Sequence, residues 1–206
     1  VMAGGPMRDY RFVRDMLYRH SAVQADIWLQ SSDLAGAISQ EANELLVSFP
    51  DTKENLYEYD VILAFDPDWE LLSEEQVVLL SDWVFEQAGG MILVAGDVYM
   101  PDTASARKLE KLRELIPVVP NSFTVDLGPD RVMNTASPFE FTREGREAGF
   151  LQLSDDPVES AEIWRDFAGV YSCYPTSGAK SGATVYAHFS DPLQITSYGA
   201  PILLAS

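Results

Sequence analysis

Cysteine is almost absent: Cys173 is the only one in 206 residues. A single thiol closes no internal disulfide, so cysteine usage neither staples this chain nor identifies its compartment. Histidine is nearly as scarce. His20 and His188 stand alone, at a spacing that matches no metal-ligand pattern. Positive charge is also short, with 14 Lys and Arg against 32 Asp and Glu and a formal net charge of −18. Charge of that sign and size repels nucleic-acid phosphates and anionic lipid, which sets aside nucleic acid as a partner and membrane contact by this segment itself. No apolar run approaches the ~20 residues of a membrane span, and no signal peptide is visible. The phosphate-binding fingerprints are missing too. Gly4-Gly5-Pro6 continues neither as G-x-G-x-x-G nor towards Gly-Lys-Ser/Thr.

What is present is globular: 47% of residues are hydrophobic and 22% charged, in a chain long enough to bury a full core. The chain opens mid-pattern, on Val1-Met2-Ala3, like the tail of a strand. It stops on Ile202-Leu203-Leu204-Ala205-Ser206, like a strand just completed. It reads as one α/β domain over residues 1–206, cut from a longer protein.

The rest is organised around residues 61–101. An apolar run, Val61-Ile62-Leu63-Ala64-Phe65, ends in Asp66-Pro67-Asp68; a helical pattern follows, then a second apolar run from Met91 to Ala95 that ends in Gly96-Asp97. Short apolar runs either side of a helix are the signature of buried parallel strands joined by a crossover. The helix between them starts at Ser73-Glu74-Glu75-Gln76, a capping box, and Gly89-Gly90 is expected to stop it. Earlier, Val1 to Ala3 reads as a strand end and Gly4-Gly5-Pro6 as a tight turn. Residues 9–20 read as a helix capped by Asp9, with Tyr10, Val13 and Leu17 on one side and Phe12 and Met16 adjoining. Four arginines, Arg8, Arg11, Arg14 and Arg19, fall on or beside it and are expected to pair with carboxylates. Residues 25–30 read as a second strand, 31–49 as an irregular loop with a helical piece, and 53–59 as a short helix. Residues 104–116 read as a further helix with Leu109, Leu112, Leu115 and Ile116 inward. Strand and helix alternate through the first 116 residues, which implies a mainly parallel sheet with helices on both faces. The pattern then changes to an insertion of short strands and loops around residues 118–160, a helical turn or two over 161–167, and strands over 183–189 and 202–205.

In open sheets of this kind ligands bind at the C-terminal strand ends. Those ends supply the candidate cleft: Gly4, Gly5, Arg8, Gln30, Asp66, Asp68, Gly96 and Asp97. Gly4-Gly5 is foremost a tight strand-to-helix turn, and the helix start beside Arg8 offers a place for an anion. Asp66, Asp68 and Asp97 are ordinary turn formers and caps. Clustered, they would instead hold Mg²⁺ or Ca²⁺, which defines an alternative reading as a hydrolase or metal-dependent enzyme. A nucleophile elbow needs Ser or Cys at the turn, but the turn here reads Ala95-Gly96-Asp97-Val98-Tyr99. Cys173 lies between tyrosines, outside any elbow, as a small buried apolar group does. No catalytic residue, metal or cofactor is assigned.

The stretches YDVILAFDPDW and LLSEEQVVLLSDWVFEQAGGMILVAGDVYMP resemble the class I glutamine amidotransferase-like domains of large bacterial proteins, including ones with von Willebrand factor A-type regions. GGPMRDYRFVRDML and ADIWLQSSD are similar to the same group, and SGATVYAHFSDP to its closing section. The resemblance covers residues 1–116 and, more loosely, 169–206. It implies a flavodoxin-like three-layer sandwich. Active members carry a cysteine at the elbow and a histidine and glutamate late in the chain. This sequence has Gly96-Asp97 at the matching loop and no matching His-x-Glu, so the resemblance implies a scaffold without the ammonia-releasing Cys-His-Glu triad. The expected role is a non-catalytic binding or interaction module and its partner a protein or small-molecule ligand. The segment is expected to be a soluble domain; its compartment is not assigned by the sequence, and a membrane-anchored bacterial parent is one option.

Overall fold

The structure is a computed structural model that describes residues 1–31, 41–122, 136–191, 195 and 199–206. The expected helical piece within 31–49 and part of the insertion around residues 118–160 fall outside the described residues. The chain divides into two compact units, residues 1–115 and 116–206.

The first unit is built on a five-stranded parallel sheet. Its elements run β1 (Met2–Ala3), α1 (Arg8–Arg19), β2 (Asp26–Leu29), β3 (Glu44–Leu45), α2 (Lys53–Leu56), β4 (Val61–Phe65), α3 (Glu74–Gln87), β5 (Gly90–Val94), α4 (Met100–Ser105) and α5 (Glu110–Leu115). The strand order is β3-β2-β1-β4-β5, and every pairing is parallel. β3 is a two-residue addition at one edge. The remaining order, β2-β1-β4-β5, places β1 inside and reverses direction between β1 and β4, as flavodoxin-like sheets do.

The continuous apolar run of β4 follows from burial on both faces, because successive side chains point to opposite sides. Ile62 and Ala64 join one core with Trp69, Val77, Leu80 and Trp83, and with Leu109 and Leu112 of the C-terminal helical segment. Leu63 and Phe65 join the other, with Tyr10 and Val13 of α1 and Ile27 and Leu29 of β2. Tyr10 meets Phe65 edge to face at 6.1 Å. Helix, sheet, helix is therefore the layering of this unit, an α/β sandwich.

Several local expectations need correction. Asp9 caps nothing: Met7 is the N-cap of α1 and Asp9 lies in its first turn. Phe12 and Met16 are not part of the buried side; both are more than 60% exposed. Of the four arginines, Arg14 pairs with Asp15 at 2.6 Å, while Arg8 lies over the Phe12 ring. The Ser73–Gln76 capping box is present as expected, and Gln76 Nε2 also donates to Phe49 O at 2.8 Å. At the other end of α3 the left-handed residue is Ala88, with φ of 54°. Gly89 serves space instead: a Cβ there would lie 2.3 Å from the Trp83 indole. The single helix expected over 104–116 is broken into α4, a 3-10 turn at Arg107–Leu109 and α5. Pro at the start of α4 begins it early. Ala106 is extended, and Arg113 Nη1 donates to the freed carbonyls of Thr103 and Ala106.

The second unit has β6 (Val118–Pro120), β7 (Phe139–Phe141), α6 (Arg143–Glu147), α7 (Pro157–Asp166), β8 (Thr176–Ala179), β9 (Val185–Phe189) and β10 (Ile202–Ala205). These form an antiparallel sheet β10-β9-β7 and a two-stranded antiparallel pair β6-β8. The helix expected at 161–167 starts four residues sooner, because Asp156 caps the Val158 N–H and Pro157 takes the first turn. β8, read as neither strand nor helix in the sequence, pairs with β6.

Candidate functional site

The tips of β1, β4 and β5 meet at the reversal point of the sheet, and their own loops occupy it. Asp66 ends β4 with a positive φ of 37° and is 2% exposed. Its backbone N–H donates to Val94 O at 2.8 Å. Its carboxylate accepts from the backbone N–H groups of Val98 at 3.1 Å, Tyr99 at 3.3 Å and Met100 at 3.1 Å. Burial pushes this carboxyl above the usual carboxylate range, and the backbone donors of Val98, Tyr99, Met100 and Gly96 pull against that shift. Asp66 therefore ties the end of β4 to the turn after β5.

The glycines explain how closely this is packed. Gly4 donates its N–H to Phe65 O. A Cβ on Gly4 would lie 2.3 Å from Asp66 O and 2.4 Å from the Tyr99 ring, and one on Gly96 would lie 2.5 Å from Asp66 Oδ2. Gly5 faces open space, so of the Gly4-Gly5 pair only Gly4 is required by a close approach.

Gln30 and Asp68 form a second tie. Gln30 Oε1 accepts from the Asp68 N–H at 2.8 Å and Gln30 Nε2 donates to Asp68 O at 3.0 Å. The Asp68 carboxylate accepts from Glu70 N–H and caps the 3-10 turn Trp69–Leu71. Asp97 is exposed on the turn held by Asp66, and Arg8 is exposed at the start of α1. The structure thus brings Gly4, Asp66 and Gly96 into one packed knot and Gln30 and Asp68 into another. No hydrogen bond or ion pair joins Arg8 or Asp97 to either among the described residues. Nor does any group of three or more His, Cys, Asp or Glu converge there in a way that would hold a metal ion.

Cys173 lies in the second unit. Its thiol donates to Ile202 O at 3.4 Å, and burial pushes it up to about 12. A shift in that direction disfavours the thiolate, the nucleophilic and metal-binding form, at neutral pH. His188 stands opposite Glu140 across the β7–β9 pair, and its Nδ1 is buried without a hydrogen-bond partner. His20 caps the C-terminus of α1.

No signal in the sequence marks the backbone N–H groups of residues 98–100 as partners of Asp66, or the Tyr99 ring as the neighbour of Gly4. Nor does any contiguous motif announce a cleft in the second unit, of about 660 Å³, lined by aromatic rings and arginines. A cavity of about 40 Å³ at the N-terminal ends of β1, β2 and β4 is too small for more than a water or two.

Fold and site together define an α/β protein in which, among the described residues, Asp66 at the end of β4 is bonded to the turn after β5. No protein-family model, curated protein or solved structure matches the chain.

Proposed function

We propose that the chain is a non-catalytic, glutamine amidotransferase-like binding or interaction module of a larger bacterial protein, without a Cys-His-Glu triad. The observation that carries this reading is the Asp66 carboxylate. It is committed to three backbone N–H groups of the very turn on which an active relative would present its nucleophile. A turn held that way is a structural joint, and a fold alone brings no activity with it. Asp97, the residue at the elbow position, is exposed, and among the described residues no base or acid is bonded to it to activate a carboxylate nucleophile. The half-buried thiol of Cys173 donates to Ile202 O, and burial raises it away from the thiolate that acyl chemistry needs.

The test is a glutaminase assay on the purified chain. Ammonia release should stay at the level of a heat-denatured control. Turnover above that control, abolished by Asp97→Ala, would overturn the reading.

A further inference from the structure

The cleft in the second unit has the makings of a ligand site that is independent of the reading just given. It measures about 660 Å³, and its lining includes Phe139 and Phe141 of β7, Arg146 of α6 and Trp164 and Arg165 of α7. That volume falls in the range of small-molecule pockets. The three rings are fixed in edge-to-face contact: Phe139–Phe141 at 5.1 Å, Phe141–Trp164 at 5.2 Å and Phe139–Trp164 at 5.8 Å. Trp164 Nε1 donates to Leu151 O at 2.8 Å, so the one polar atom of the indole is satisfied and the ring is held in place. Ser160 is buried at the same cleft and its Oγ accepts from Leu153 N–H, holding the loop before α7 against the helix.

The charge at the rim is unusual for this chain. Arg165 is exposed and makes no ion pair or hydrogen bond among the described residues. Arg146 donates through Nη1 to Phe141 O at 2.7 Å, a bond that anchors the guanidinium without neutralising it. Glu140 also borders the cleft, but strand alternation turns its side chain to the face opposite Phe139 and Phe141, beside His188. Two guanidinium groups without a carboxylate partner among the described residues thus flank an aromatic wall in a protein of net charge −18. Elsewhere in the same unit Arg143 finds Glu147 at 2.9 Å, so carboxylates are at hand and these two arginines go without them.

We infer that this cleft binds a small organic anion with a flat apolar body and one carboxylate, the body against Phe139, Phe141 and Trp164 and the carboxylate between Arg146 and Arg165. Arginine recognises carboxylate through paired N–H donors, and aromatic rings supply contact area at little entropic cost.

Isothermal titration of the full chain with indole-3-acetate tests this, with indole-3-acetamide as the uncharged match. The acid should bind saturably at one site. The amide should bind about tenfold more weakly or worse, the value of a hydrogen-bonded charge. Arg165→Gln should weaken the acid by a similar factor and leave the amide unchanged. Arg165 holds no structural bond, so this variant is expected to keep the wild-type far-ultraviolet circular dichroism, and Arg165→Lys should recover part of the affinity. No binding of the acid at millimolar concentration, equal binding of acid and amide, or full affinity in both Arg165→Gln and Arg146→Gln would overturn the inference.

Discussion

Asp66 shows why a residue's identity alone does not settle its role. In the sequence it is an aspartate after a strand, equally suited to a turn, a cap, a metal or a nucleophile. In the fold it is a buried acceptor for three successive N–H groups. Removing the carboxylate leaves those donors without that partner, and the Met100 N–H among them is buried. Asp66→Ala should therefore lower unfolding free energy by about 1–3 kcal/mol, measured by urea denaturation. The pH dependence has a definite sign. Burial raises the folded-state carboxyl above its unfolded value. The stability this linkage adds is full below the unfolded value near ~4 and is lost as pH rises through the folded one. The difference between wild type and Asp66→Ala should be widest at acid pH and narrow towards neutrality. A difference that grows with pH would show instead that the backbone donors outweigh burial.

Elements differed in how far they were legible. α3 was readable because its start signal is contiguous: Ser73 and Gln76 lie one helical turn apart and satisfy each other's backbone. Gln76 also reaches Phe49 O at 2.8 Å, tying α3 to the segment before α2. Gln76→Ala should cost about 1–2 kcal/mol from the lost cap and that bond together, read as a lower denaturation midpoint with unchanged slope. β4 and β5 were readable from their apolar runs, since both faces of the sheet are covered. The break between α4 and α5 was not. It rests on Arg113 bonding carbonyls seven and ten residues back, a contact that no periodicity announces. The same limit applies to the candidate site. The C-terminal strand ends were located correctly, but Asp66 finds its partners 32 to 34 residues along the chain. Whether the strand-end residues form an open cleft or a closed knot is decided by those long-range bonds. The rings of the second-unit cleft come from β7 and α7, more than twenty residues apart, and share a wall only through the packing of that unit.

At the scale of the molecule, the two apolar cores of the sheet are drawn entirely from residues 1–115: one joins β1, β2 and β4 to α3 and α5, the other joins the same strands to α1. A sheet covered on both faces by its own helices meets the condition for independent folding, and a chain of that length lies within the ordinary size range of domains. The opposing term is charge, since most of the net −18 must be accommodated at close range and self-repulsion favours expansion. Burial outweighs it if Trp69 and Trp83, each 1% exposed in this unit, are as enclosed in the fragment as in the whole chain. The fragment 1–115 should therefore unfold in one cooperative transition, with a near-ultraviolet circular dichroism signal from those indoles that is lost at the same midpoint as the helical signal. Its midpoint should rise as sodium chloride screens the repulsion. A fragment with helical signal but no near-ultraviolet signal and no cooperative transition would mean that residues 116–206 supply part of what holds the sheet together.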